Sequence, residues 1–148
     1  MTDDKPPPFP LPAVRGKKVI AAFDGGRLSS DGGVMLLAAA ARRTGIAHKL
    51  AAVIPDARDP TRVVHPLAEI LLARILAIAC GYADADDLDA LRTDPAFKLA
   101  CGRLPESGAD LMSQPIISRW ENAPGLRDLL RLGRVMVDLY CASYVAPP

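Results

Sequence analysis

Four polar side chains occur at helical spacing near the end of the chain, and their types suit contacts with DNA bases. They are Gln114, Ser118, Arg119 and Asn122. Glutamine and asparagine can form paired hydrogen bonds with adenine and arginine with guanine, while a serine hydroxyl can contact a phosphate. The segment is therefore a candidate DNA recognition helix. An ordinary amphipathic helix with a solvated polar face would show the same pattern, because one helix alone identifies no motif.

The neighbouring residues predict the helix that would hold these side chains. Ser113 can cap its first turn through the hydroxyl, and Pro115 fits that turn because the N–H that proline lacks has no partner there. Ile116, Ile117 and Trp120 form an apolar stripe at helical spacing. This stripe would fix the helix to a core and leave the four polar side chains outward.

A second candidate set lies on the next predicted helix, from Leu126 to about Val145. Its arginines recur at i, i+4 and i+7 on one face, at Arg127, Arg131 and Arg134. With Arg119 they make the most concentrated basic patch of the sequence, which could hold a DNA backbone or could be a solvated helix face. A different face of this helix is apolar and contains Leu126, Leu129, Leu130, Val137, Tyr140, Cys141 and Tyr144.

The composition limits the classes of function. The chain has 148 residues, a net charge of +1 and 50% hydrophobic residues, so it can form one core but carries no global basic excess for nucleic acid. The three cysteines lie far apart, at Cys80, Cys101 and Cys141. With only His48 and His65 beside them, they do not fit a structural zinc site. No signal peptide or membrane span is predicted, so a cytoplasmic protein without membrane contact is expected.

The remaining pattern predicts a mainly α fold. Prolines make residues 1–16 an extended or disordered leader, and residues 17–23 read as a strand that ends at Asp24-Gly25-Gly26. Further helices are predicted over residues 34–44, 47–53, 66–80 and 96–101. The expected fold is a short N-terminal β-strand or hairpin followed by a bundle of about six helices, including a helix-turn-helix-like segment.

Several charged or polar residues have structural interpretations. Arg74, in the apolar helix over residues 66–80, needs a carboxylate partner or a route to the surface. In the loop over residues 55–62, arginines and aspartates can pair with each other. The aspartates over residues 84–92 fail the calcium-loop pattern and suit helix caps, and His65 suits capping or packing.

Five motifs in one order carry a resemblance to a known family. They are Phe23-Asp24 with Leu28-Ser29-Ser30-Asp31-Gly32-Gly33, then Asp56-Ala57-Arg58-Asp59-Pro60, Gly81-Tyr82-Ala83-Asp84, Leu91-Arg92-Thr93-Asp94-Pro95, and Ser113-Gln114-Pro115-Ile116-Ile117-Ser118-Arg119-Trp120-Glu121-Asn122. Together they resemble the N-terminal region of bacterial DDE-class insertion-sequence transposases, specifically the insertion-sequence family thirteen-eighty. The resemblance covers about residues 20–145.

The resemblance implies DNA strand cleavage and transfer by two Mg²⁺ ions, which three acidic residues hold on an RNase H-like core. That core would follow this chain, so the resemblance implies a chain truncated before it, with residues 146–148 as a cut linker. No catalytic or metal-binding residue and no cofactor is assigned here, and the chain alone is expected to be inactive. Asp24 and Asp31 match the family's N-terminal motif and not its metal-binding triad.

The resemblance also implies a partner, double-stranded DNA at the terminal repeats of the insertion sequence. Residues 17–145 would then be a mostly helical DNA-binding region, with Gln114, Ser118, Arg119 and Asn122 nearest the bases. The phosphates would be nearest Arg127, Arg131 and Arg134. A helical module for self-association and a non-functional transposase remnant remain alternatives.

Overall fold

Helices form every regular element of residues 11–20 and 28–144, the part of the chain that this computed structural model describes. The predicted mainly α fold is confirmed for that part. Its helices, in chain order, are α1 Val34–Thr44, α2 Ile46–Ala51, α3 Leu67–Ala79, α4 Leu88–Leu91, α5 Pro95–Ala100, α6 Gln114–Asn122 and α7 Leu126–Cys141. A single 3₁₀ turn, Pro60–Arg62, lies in the loop between α2 and α3.

The predicted N-terminal strand is not found in the described residues. Lys17 makes one antiparallel bridge with Val14 across a tight turn at Arg15 and Gly16, whose φ angles are 49° and 76°. No ladder continues from this bridge into residues 18–20, and residues 21–27 lie outside the described part. A single bridged pair is too little for a stable ribbon, which needs further strands or an apolar surface to pack on.

Helix α3 provides the centre of the core, as its apolar sequence predicted. It packs against α1, α2 and α4, and α1 also packs against α5. Ile70 and Leu76 of α3 and Phe97 of α5 are almost wholly enclosed. Ile78 is exposed, so α3 is not buried on all sides. A compact inner cluster therefore joins α1, α3, α4 and α5.

The C-terminal end of α1 is set by the glycine that follows it, Gly45. Gly45 adopts a left-handed conformation, with φ of 66°, and its N–H donates to the carbonyls of Ala41 and Arg42. Glycine favours this conformation because it has no Cβ to clash with the backbone. The chain turns at Gly45 and begins α2 at once.

The structure does not show a helix-turn-helix around α6. Helix α4 is only one turn long, and residues 101–113 separate α5 from α6. In a helix-turn-helix, a turn of three or four residues joins the recognition helix to the helix before it, so the connection between α5 and α6 is too long. The short turn over residues 123–125 instead joins α6 to α7, none of whose residues is buried. Here the long connection is fixed at its end by Leu111 and Met112, both fully buried directly before α6.

Candidate nucleic-acid interface

Helix α6 leaves Arg119 and Asn122 exposed, whereas Gln114 and Ser118 are half-buried beside the loop that follows α3. Ile117 is buried on the inner side, with Ile116 and Trp120 packed against the core cluster, as the apolar stripe predicted. The helical repeat places the four candidate residues on one side of α6, away from Trp120. In angular order around the helix they are Gln114, Ser118, Asn122 and Arg119. Asn122 Nδ2 donates to the Ser118 carbonyl at 2.8 Å, which leaves its side-chain oxygen available.

The first turn of α6 is capped from another helix, which corrects the prediction for Ser113. Ser113 occupies the N-cap position, but its hydroxyl accepts no capping hydrogen bond. The Gln114 N–H donates instead to Asp89 Oδ1 of α4 at 3.0 Å. Pro115 lies in the first turn as predicted. Asp89, from the acidic stretch over residues 84–92, therefore caps α6 and not α4, the helix in which it lies.

Arg74 of α3 holds α6 from its inner side. Its Nε donates to Glu121 Oε1 at 2.5 Å, so the predicted carboxylate partner is present. Its Nη atoms donate to the carbonyls of Tyr82 at 3.0 Å and Ala83 at 2.7 Å. One side chain thus joins α3, the loop after α3 and the last turn of α6.

Two buried cations fix the connection that leads to α6. Lys98 Nζ donates to the Gly108 carbonyl at 2.8 Å, and the side chain is only 3% exposed as a residue. Arg103 donates to Glu69 Oε1 at 2.8 Å, to the Ala109 and Asp110 carbonyls, and contacts His65 Nδ1 at 3.0 Å. His65 therefore belongs to a packing network, which agrees with its structural interpretation.

A groove with arginines on its rim lies beside α6, and we call it the arginine groove. Its volume is about 530 Å³. It is lined by Arg58, Asp59, Arg62, Val63, Val64, His65, Ile116, Arg119, Trp120 and Ala123. The loop before α3 and the Arg119 side of α6 form its two walls.

Arg58 is fixed in this groove by three neighbours. Its Nε and Nη2 donate to the two Asp56 carboxylate oxygens at 2.8 and 2.7 Å, and its Nη1 donates to the His65 carbonyl at 2.9 Å. The guanidinium carbon also lies 5.0 Å from the Trp120 ring centre, in cation–π range. The hydrogen bonds from Arg58 lower the pKa of the Asp56 carboxyl. The predicted pairing in this loop is thus confirmed for Arg58 and Asp56.

Arg62 does not form the predicted pair with an aspartate, and its position in this groove was not predicted from the sequence. Asp59 Oδ1 accepts from the Thr61 N–H and hydroxyl at 3.0 and 2.8 Å. Neither the Arg62 nor the Arg119 guanidinium group has an ion-pair or hydrogen-bond partner among the described residues. Both are exposed at the groove. The sequence places Arg58 and Arg62 in a loop with flanking prolines, but no local pattern predicts that this loop folds back against Trp120.

The opposite side of α6 borders a second groove with acidic walls. This groove, of about 460 Å³, is lined by Arg74, Ala83, Asp84, Ala85, Gln114, Ser118 and Glu121. Arg74 is already bonded to Glu121 and to backbone carbonyls. The two sides of α6 therefore differ in charge, and an anion would approach from the side of Arg119.

The three candidate arginines of α7 are exposed to solvent. Arg131 pairs with Asp128 at 3.3 Å and Arg134 with Asp138 at 3.9 Å, whereas Arg127 has no ion-pair partner among the described residues. Helix α7 contacts α2, but none of its residues is buried. Such exposed pairs hold their arginines weakly, so all three remain accessible to a partner.

Three of the sequence motifs interlock at the edge of the core. Tyr82 donates its hydroxyl to Asp31 Oδ2 at 2.7 Å, and this bond raises the pKa of Tyr82. Ser29 Oγ donates to Asp94 Oδ1 at 3.1 Å, and the same carboxylate oxygen caps α5 by accepting from the Phe97 N–H at 2.9 Å. These contacts give the motifs a structural role. Asp24 lies outside the described residues.

Residues 11–20 and 28–144 contain no group of three or more histidine, cysteine, aspartate or glutamate side chains arranged to hold a metal ion. Within the same ranges, no helix has the length and apolar character needed to cross a bilayer.

Comparison with known proteins identifies the family. No curated protein and no solved structure matches the chain. The model of one family, described as transposase DDE domain group 1, matches residues 11–148. Because this match covers nearly the whole sequence, the chain belongs to the transposase DDE domain group 1 family.

Proposed function

We propose that this chain is a DNA-binding region of a DDE transposase and that it recognises the terminal repeats of its insertion sequence. The observation that carries the proposal is the exposed side of α6, where Arg119 and Asn122 are free for base contacts and the half-buried Gln114 and Ser118 follow on the adjoining face. Asp89 at the first turn and Arg74 at the last turn hold the helix. A recognition helix needs this combination of a fixed inner side and an available outer side.

The candidate residues divide into two roles in this proposal. Gln114, Ser118, Arg119 and Asn122 of α6 lie nearest the bases and supply sequence preference. Phosphates are contacted by Arg127, Arg131 and Arg134 of α7, whose guanidinium groups suit them. Membership of a transposase family supports DNA as the partner.

We further propose that strand cleavage needs acidic residues other than those of the described helices. Many carboxylates here already have structural partners: Asp31 accepts from Tyr82, Glu69 from Arg103, and Glu121 from Arg74. The chain is therefore expected to bind DNA without cutting it in the presence of Mg²⁺. Strand cleavage by the purified chain would overturn this part of the proposal.

The test is equilibrium binding to a labelled duplex that carries the terminal repeat and to a random duplex of equal length. Arg119→Ala should weaken binding to the repeat more than to random DNA, because it removes a base contact. Arg131→Ala should weaken both equally and flatten the salt dependence. Arg43→Ala is the matched control, since Arg43 is an exposed arginine of α1 that lines neither groove. Equal loss on both duplexes for Arg119→Ala would contradict base recognition by this residue.

A second candidate function is self-association through α7. Leu126, Leu130, Gly133, Val137, Tyr140 and Tyr144 are spaced by four and three residues in alternation. This is the heptad spacing of a coiled-coil seam. Leu126 is 74% and Leu130 68% exposed. Val137, Tyr140 and Tyr144 are also 45–59% exposed, so the strip leaves apolar surface that a second copy could cover.

Sizing without DNA and cysteine labelling test this second candidate. A second copy seated on the strip predicts a dimer mass that Leu130→Glu reduces to a monomer. It also predicts that alkylation of the exposed Cys141 slows as protein concentration rises. Cys101 is the internal control, because burial raises its pKa to about 12 and leaves little reactive thiolate. A monomer at all concentrations would contradict self-association through this strip.

A further inference from the structure

We propose that the arginine groove binds one strand of the DNA backbone, with Arg62 as a phosphate ligand that acts beside Arg119. This inference rests on the proposed DNA-binding function and adds a second element to it, the loop before α3. The groove brings together cations from two distant parts of the sequence and apolar side chains between them. A sugar–phosphate strand has the matching chemistry, since its phosphates are anionic and its deoxyribose faces are largely apolar.

Arg58 builds the wall of this groove and is not itself a ligand. Its Nε, Nη1 and Nη2 already donate to the Asp56 carboxylate and the His65 carbonyl. Its contact with the Trp120 ring joins the loop to α6. The fixed guanidinium thus defines the position of the loop that carries Arg62.

Arg62 and Arg119 provide the free positive charge on the two walls. Each is exposed, and its guanidinium group lacks an ion-pair or hydrogen-bond partner within residues 11–20 and 28–144. Asp59, the lining carboxylate, accepts from Thr61 and keeps its negative charge, so the two unpaired guanidinium groups face a single carboxylate. The charge that remains for a ligand is therefore positive, and arginine can hold a phosphate through two parallel hydrogen bonds.

The apolar part of the groove argues for a nucleic-acid strand rather than for a small free anion. Val63, Val64, Ile116, Ala123 and Trp120 line the same groove as the arginines. Val64 is 80% exposed and lines the groove together with Val63 and Ile116, so these side chains form an apolar surface that a strand would cover. A small anion would use the arginines alone, whereas a strand would also cover these side chains.

Arg119 belongs to both the groove and the outer side of α6. A strand that is held in the groove would therefore set the position of α6 over the bases beside it. Phosphate contacts commonly fix the register of a protein on a duplex in this way.

The experiment measures the salt dependence of binding to the repeat and random duplexes for Arg62→Ala, with Arg43→Ala as the control. Loss of one phosphate contact should lower the slope of log K against log salt by about 0.9, equally on both duplexes. Arg62→Lys should keep most of that slope, because the charge remains. Melting curves check that each variant is folded.

A second pair of variants tests the apolar part without touching an arginine. Val64→Asp places a carboxylate in the groove and should weaken binding to both duplexes, whereas Val64→Thr should bind as the parent does. Because Val64 is so exposed, neither change should alter folding.

The outcomes separate the two proposals. If Arg62→Ala and Val64→Asp match Arg43→Ala while Arg119→Ala and Arg131→Ala weaken binding, the groove is overturned and the proposed function stands. If none of these variants differs from Arg43→Ala, or the parent chain does not bind DNA, both proposals fail. If inorganic phosphate at low millimolar concentration competes as well as a duplex does at equal phosphate, the groove is an anion site and not a strand site.

Discussion

The inner cluster and the α6–α7 surface use the same residue types in opposite ways. At the inner cluster, Lys98 of α5 and Arg103 of the loop after α5 are almost wholly buried. Each is hydrogen-bonded to a carboxylate or to backbone carbonyls. On the surface, Arg119 and Arg127 are exposed and have no ion-pair partner within the described ranges. The net charge of +1 does not reveal this division, because it adds the buried charges that stabilise the fold to the exposed charges that can bind a partner.

The difference has a simple physical cause. A buried cation has lost its water, so it is tolerated only where carboxylates and carbonyls replace the lost hydrogen bonds. An exposed arginine keeps its water and gives it up only when an anion arrives. Substitutions in the two regions should therefore separate stability from DNA binding.

The largest expected effect is on stability, from Arg103→Met. The change leaves the Glu69 carboxylate partly buried without its partner and frees the Ala109 and Asp110 carbonyls. We expect the free energy of unfolding to fall by about 3–5 kcal/mol, measured by urea denaturation. Arg43→Met, at an exposed site, should change it by less than about 0.5 kcal/mol. A loss below about 1 kcal/mol for Arg103→Met would contradict the structural role of this cation.

Arg74→Met should have the next largest effect and should act on α6. It removes the ion pair with Glu121 and hydrogen bonds to the Tyr82 and Ala83 carbonyls, at an expected cost of about 2 kcal/mol. Amide exchange should rise most in the last turn of α6, because that is where Glu121 lies. Unchanged exchange in α6 would show that Arg74 does not hold this helix.

A smaller effect is expected from Asp89→Ala, which removes the cap of α6. The loss should be about 1 kcal/mol, the usual value of a helix cap. Ser113→Ala is a sharp control, since the Ser113 hydroxyl makes no capping bond and its removal should cost almost nothing. The reverse order of the two losses would show that the serine caps α6 after all.

The smallest effect on stability is expected from Arg131→Ala. Its ion pair with Asp128 lies at the surface and should contribute less than about 0.5 kcal/mol. Its effect on the salt dependence of DNA binding should nevertheless exceed that of Arg43→Ala, the exposed control on α1. If Arg131→Ala destabilised the fold as much as Arg103→Met, the contrast between the two regions would be lost.

Much of the fold could be predicted from the sequence where a feature depends on nearby residues. The helical periodicity predicted α1, α3, α6 and α7 close to their observed limits. The polar environment of Arg74 was also foreseeable, because a charge inside an apolar helix must find a carboxylate or water.

Features that depend on distant contacts could not be predicted. Ser113 has the right type and position for a cap, but its hydroxyl makes no capping bond, and Asp89 from another helix accepts from the Gln114 N–H instead. The arginine groove exists because Arg58 packs on Trp120, more than sixty residues later in the chain. The predicted strand needed further strands to pair with, and in the described residues only the Val14–Lys17 bridge forms.

The most direct test of the division between the two regions is a titration of the isotope-labelled chain with the terminal-repeat duplex, followed by amide NMR. We expect the largest shifts at the outer side of α6, at the arginine face of α7 and at residues 60–65. Amides of α1, α3 and α5 should change little. Shifts centred on α1, α3 and α5, or no shifts at saturating DNA, would contradict the account.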